Sequence, residues 1–324
     1  MSEKVSPTLP AKAGSPARPL RPLAAFLVGL IIAAHSVLLS AEDEEREPSV
    51  GHEGSSARAT VEIDPDTGRP LPRKPFGWRQ VVYDTRHLVR RPLHIGKKER
   101  NQLLAIGGGT VLLYALRKEI RDWVQETKSE DRTEFLNTVH TMGKGGFAPT
   151  LALISYGASF VTKNPREKET AVMLLESAAY SAVLAGAGSF VLAAERPEDG
   201  DSVTLFDTDG RGVSLDAALA ASIIPALNCQ YLRVKPDDSG AVRFGKRASL
   251  ALLYTGAALT AFQRMDADKH WAPDVFLGIE SGLFVGSSIC QAHEEVRQKK
   301  KQHQQTFSLL IAPRAAGITW SRRW

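Results

Sequence analysis

Residues 263–278 read QRMDADKHWAPDVFLG, a polar stretch that joins one apolar run to a second that opens at Trp271. It places Arg264, His270 and Asp274 close together in the chain. If the chain is helical from His270 onward, with Pro273 tolerated in the first turn, His270 and Asp274 lie one turn apart on one face. The carboxylate then takes one ring N–H and leaves the other imidazole nitrogen free to attack phosphorus. Arg264 supplies a fixed, permanently charged fork for the equatorial oxygens of a phosphoryl group.

Working outward from that stretch, apolar runs recur at about 101–117, 145–162, 171–194, 214–232, 247–263 and 271–291. Asn164-Pro165 separates the second from the third, and Asp237 to Gly240 separates the fourth from the fifth. The 118–144 connection alternates in charge and reads as helical in its own right. Small residues crowd the third run, from Ala178 to Gly188, and permit close approach of helix backbones in water or lipid. The pattern predicts an all-α protein with a six-helix bundle as its core.

Three stretches in order, the one ending at Arg196-Pro197, the segment Val213 to Ala217, and 263–278, resemble the type 2 phosphatidic acid phosphatase superfamily. That superfamily groups lipid phosphate phosphatases, class A acid phosphatases and vanadium haloperoxidases. The resemblance covers roughly residues 100 to 292. It implies a six-helix core with Arg196 at the end of the third helix, Ser214 and Asp216 opening the fourth, and Arg264 and His270 between the fifth and sixth. It further implies His270 as the nucleophile that forms a phosphohistidine, Asp274 as its orienter, Arg196 and Arg264 as the phosphate clamp, and Ser214 as an extra donor. No cofactor and no metal are expected. The substrate would be a phosphorylated lipid or a small phosphomonoester.

Departures from the family pattern are as informative as the matches. Gln263 replaces the Ser that usually precedes the Arg of the third motif. Ser189 stands where the first motif has a Lys, which removes a cation from the phosphate site. Leu215 and Asp216 replace the Gly and His of the second motif, which removes a close backbone donor and the general acid. Asp216 serves as a substitute acid only while protonated; ionised, it repels a phosphate. The expectation is a phosphatase with weak or absent activity, and the alternative is a non-catalytic binding or structural module that keeps the fold. Acidic residues from Glu195 to Asp268 rim the same end and read as solvated loop charges.

Composition limits the remaining classes. The net charge of +5 is mild, and no basic-plus-aromatic motif marks a nucleic-acid surface. Cys229 and Cys290 lack metal or redox spacing and read as core residues. Residues 1–41 have the layout of an export signal, with a membrane anchor as the alternative: basic residues, an uncharged run from Pro22 to Ser40, then an acidic stretch. Residues 42–92 read as a flexible linker with a short interfacial helix over 76–92. The phosphatase-like domain spans 93–296, and 297–324 form a basic tail with a small hairpin around 313–317. Lys and Arg cluster at the end of the bundle opposite the motifs, so the positive-inside rule puts the site outside the cytoplasm. The expected location is the cell envelope, in contact with a lipid bilayer, or soluble in the periplasm after signal cleavage.

Overall fold

The computed structural model of the protein describes residues 77–93 and 96–308. The expected signal or anchor, most of the linker and the terminal hairpin lie outside them.

The chain is mostly helical. An amphipathic helix α1 (Trp78–Arg90) leads to α2 (Lys97–Ala115), and two short helices follow, α3 (Arg117–Glu126) and α4 (Glu130–Val139). A 3-10 turn at His140–Gly143 precedes α5 (Phe147–Thr162), and then come α6 (Pro165–Val191) and α7 (Leu215–Leu227). A π-helical turn at Asn228–Leu232 precedes α8 (Gly240–Asp266) and the 37-residue α9 (Ala272–Ser308). Helix α9 thus runs on beyond 296, where the phosphatase-like domain was expected to stop.

Local chemistry sets several of these starts. Asn164 caps α6, its side-chain oxygen accepting from the amide of Arg166 at 3.0 Å while Pro165 fits the first turn. Ser214 and Ser239 cap α7 and α8 in the same way. Between α6 and α7 the chain makes an antiparallel hairpin, β1 (Leu192–Ala194) and β2 (Val203–Leu205), with Leu192 paired to Leu205 and Ala194 to Val203. Sequence reading placed Arg196 at a helix end. It sits instead in the connection of this hairpin, because α6 stops at Val191.

The long helices alternate in direction. At one end Arg121 meets Asp268, His140 meets Asp216, and the Ser214 amide donates to the Asp274 carbonyl. At the other, Arg166 lies over Tyr231, Lys246 donates to the Arg233 carbonyl, and Arg233 pairs with Glu294. The core is centred on α7, a helix of Ala and Ile that is buried almost all round. Its closest partner is α9, which presents Gly278, Gly282 and Gly286 to it. A Cβ at Gly282 would overlap the carbonyl oxygen of Ala218. That glycine row lets two backbones approach more closely than side chains allow.

Cys229 and Cys290 are not simply core residues. They form a disulfide across 61 residues that ties the π-helical turn to α9.

Two helices, α6 and the Ala272–Lys300 part of α9, are long and apolar enough to cross a membrane by length and composition. The apolar stretch of α9 is 72% buried, as in the centre of a bundle, whereas that of α6 is only 33% buried. Leu103, Leu104 and Val111 of α2, Leu153, Ile154, Phe160 and Val161 of α5, and Leu252 of α8 are also exposed. The bundle therefore wears an apolar exterior on several helices at once, more than the scattered apolar residues of an ordinary soluble surface.

Candidate functional site

All three motif segments reach the same end of the bundle, brought there by different elements. The hairpin carries Arg196, the first turn of α7 carries Asp216, and the last turn of α8, the bend that follows and the first turn of α9 carry Arg264, His270 and Asp274. Direct bonds join the segments. The indole Nε1–H of Trp271 donates to the Glu195 carbonyl at 2.9 Å, and the Ser214 amide donates to the Asp274 carbonyl at 3.0 Å.

Asp216 is the hub of the cluster. Its Oδ2 lies 3.0 Å from Nε of Arg264 and 3.1 Å from Nε2 of His140. His140 comes from the 3-10 turn after α4 and carries no sequence signal, since nothing in its spacing relates it to a residue 76 positions away. Gly143 makes the meeting possible: a Cβ there would strike the backbone of Asp216 and the side chain of Thr260. The three side chains are mostly but not wholly shielded, with Asp216 at 26% exposure.

His270 and Asp274 are adjacent but differ from expectation. The helix begins at Ala272, so His270 lies in the bend before it. Its Nδ1 is 3.6 Å from Oδ2 of Asp274, an ion-pair distance rather than a hydrogen bond. Asp274 Oδ2 instead accepts the Trp271 amide at 2.9 Å, the reach-back of a third-position carboxylate that caps a helix start. The first task of Asp274 is structural, and orienting His270 would need a small rotation of one side chain.

The expected donor Ser214, and Ser189 where the resemblance would place a lysine, are both committed elsewhere. Ser214 is fully buried, and its hydroxyl accepts from the Ala217 amide as the cap of α7 rather than facing a ligand. Ser189, where the resemblance would place a lysine, donates to the Val213 carbonyl at 3.0 Å and accepts the Val213 amide at 3.2 Å. It pins the loop that leads into α7. Arg196 pairs with Glu198 at 3.6 Å, and Glu198 also takes Lys269 at 2.5 Å. The Lys269 ammonium holds the Glu198 carboxyl below the usual carboxylate range. Arg196 and the His270 segment thus share a side of the site through Glu198 and Lys269.

The acidic rim is only partly a set of solvated charges. Asp266 is 1% exposed and accepts from Arg132 and from the Thr133 hydroxyl. Asp268, at a left-handed φ of 59°, receives both guanidinium arms of Arg121 at 2.7 and 2.6 Å. Asp201 pairs with Lys118. Helices α3 and α4 neutralise the acids of the α8–α9 turn, a pairing invisible in sequence because partners lie more than a hundred residues apart.

Chemically, the arrangement offers an imidazole with one nitrogen near a carboxylate, a guanidinium close by, and a second imidazole held by Asp216. The guanidinium already lies in an ion pair with a carboxylate of the protein itself, although its buried Nε makes no hydrogen bond. Searches against protein-family models, curated proteins and solved structures found no match to this chain.

Proposed function

We propose that the protein is a membrane-associated, phosphatidic acid phosphatase type 2-like member of the cell envelope, derived from an enzyme that cleaves phosphomonoesters or lipid phosphates, with turnover that is weak or absent. The observation that carries this reading is the Asp216–Arg264 pair at 3.0 Å. A guanidinium that would clamp phosphate through charge-assisted bonds here lies in an ion pair with an internal anion, so a phosphate that approaches its Nε edge competes with that carboxylate. The convergence of the Arg196, Asp216 and Arg264–Asp274 segments on one end supports the phosphatase ancestry. The bonds that hold Ser189, Ser214 and Asp274 support loss of turnover.

Where turnover occurs, His270 is the nucleophile: its free ring nitrogen attacks phosphorus, the leaving alkoxide departs with a proton, and water then cleaves the phosphohistidine. Arg264 and Arg196 hold the phosphoryl oxygens. Asp216 was the residue expected to supply the proton. His140, whose Nε2 lies 3.1 Å from Asp216 Oδ2, is a second candidate for that proton.

The exposed apolar flanks of α2, α5 and α6 favour a bilayer around the bundle. The excess of Lys and Arg at the opposite end favours a site facing away from the cytoplasm. A specific observation favours the alternative of a wholly exported bundle: the Cys229–Cys290 disulfide lies at the basic end, and such bonds persist in oxidising compartments.

The test is an assay of the purified full chain in detergent against phosphatidic acid, an isoprenyl diphosphate and a chromogenic phosphomonoester, with acid-labile phosphoprotein trapped from labelled substrate. Slow turnover lost in His270→Ala supports the degenerate enzyme. No turnover and no trapped phosphoprotein with any substrate supports the non-catalytic module. Fast turnover that survives in His270→Ala would overturn both.

A further inference from the structure

A second cluster of ionisable groups lies at the far end of the bundle, unrelated to the phosphatase-like motifs. Asp84 of α1, Glu176 of α6 and His293 of α9 offer ligand atoms that all lie within 4.8 Å of one another. They are 0%, 9% and 1% exposed. His293 Nε2 is 3.2 Å from Oδ2 of Asp84. Its other nitrogen, Nδ1, is 2.9 Å from Oε1 of Glu169, and Glu169 is paired with Arg297 at 3.4 Å. The second oxygen of Asp84, Oδ1, accepts from the Gln80 amide at 2.7 Å.

We propose that Asp84, Glu176 and His293 form a binding site for a divalent transition-metal cation, with zinc the best fit, and that Glu169 positions His293 for it. The geometry rests on which atoms are left over. Asp84 Oδ2, both carboxylate oxygens of Glu176 and His293 Nε2 are buried and make no hydrogen bond, the ion-pair approach of Nε2 to Oδ2 apart, and the three side chains bring ligand atoms into one cluster. Buried carboxylates without donors are costly, and two facing each other repel. A cation between them removes both penalties together. A separation of 3.2 Å between Nε2 and Oδ2 suits two ligands on one small ion, since bonds of about 2.0–2.2 Å at tetrahedral angles put donor atoms about 3.4 Å apart.

Charge and tautomer agree with that assignment. Three carboxylates, Asp84, Glu169 and Glu176, are balanced by one dication and the Arg297 guanidinium when the imidazole is neutral. With the Nδ1 proton donated to Glu169, the lone pair of Nε2 faces the cation, the carboxylate–histidine–metal arrangement by which proteins fix the ligating nitrogen. The donors are two oxygens and one imidazole nitrogen, which excludes soft ions such as Cu(I) and leaves a fourth position for water. The cation would fasten the peripheral helix α1 to α6 and α9.

The test uses the full chain in detergent, stripped with chelator and titrated with zinc. One equivalent should bind at micromolar zinc or below, with a matching rise in melting temperature. Asp84→Asn and Glu176→Gln should each weaken binding by 100-fold or more, and Glu169→Gln by about 10- to 100-fold with stoichiometry kept. X-ray absorption of the zinc-loaded wild type, which needs no variant to fold, should show imidazole and oxygen scattering without sulfur. Failure of the stripped wild type to bind zinc, sulfur in the coordination shell, or unchanged affinity in the folded Asp84→Asn, Glu176→Gln double variant would overturn the proposal.

Discussion

The carboxylate of Asp216 and the guanidinium of Arg264 lie 3.0 Å apart, across a helix start and a helix end that are 48 positions apart in sequence. The arginine that the proposed function assigns to phosphate thus has an anion of the chain's own. Removing that anion should open the site. Asp216→Ala is expected to tighten binding of orthovanadate by about tenfold or more, the scale of a charge-assisted hydrogen bond released for a ligand. Titration of wild type and variant by calorimetry checks it, and equal affinities would mean that the pair does not guard the site.

Ser189 illustrates why restoring a motif residue need not restore its function. Its hydroxyl makes two bonds to the backbone of Val213, and Ser189→Lys breaks both. The variant is expected to lose about 1–3 kcal/mol of stability with no gain in turnover, because a buried amide and carbonyl are left unpaired. Thermal melts beside the phosphatase assay decide the matter. A stable variant with higher turnover would show that position 189 can take the lysine that the resemblance implies.

The packing of α7 on α9 makes a paired prediction from two glycines. Gly282→Ala drives a methyl into the Ala218 carbonyl and should destabilise by about 3 kcal/mol, the upper part of the range for overpacking. Gly107→Ala, in α2 with nothing near its missing Cβ, should stabilise by about 0.5–1 kcal/mol through helix propensity alone. Equal melting temperatures for both variants would contradict the close α7–α9 contact.

Orientation is open to a covalent test. Rapid alkylation of intact cells, followed by mass spectrometry without reduction, should find Cys229 and Cys290 unmodified and linked if the basic end is exported. They should be alkylated if that end faces the cytoplasm. Where the bridge forms, Cys229→Ser with Cys290→Ser should lower stability by about 2–4 kcal/mol, since the linkage constrains a long loop of the unfolded chain. Unchanged stability in an exported bundle would count against the bridge.

The sequence by itself determined the helical class and where several of the helices stop and start. Apolar runs bounded by Asn164-Pro165 and by Asp237 to Gly240 mark where helices stop and start, and such signals act within a few residues. Alternating charge marked 118–144 as helical, but not that it divides into two helices, α3 and α4.

Tertiary structure decided the chemistry. His140 joins Asp216, Arg132 joins Asp266 and Arg121 joins Asp268 across gaps that no spacing rule covers, because side chains on different helices meet only when the bundle closes. The same closure assigns Ser214 to a helix cap, draws Asp274 onto the Trp271 amide, and links Cys229 to Cys290. It gathers Asp84, Glu176 and His293 from three helices whose sequences give no hint of a common site. Local patterns fix where helices form, since hydrogen bonding and capping are short-ranged; which polar groups become partners depends on distances set only by packing.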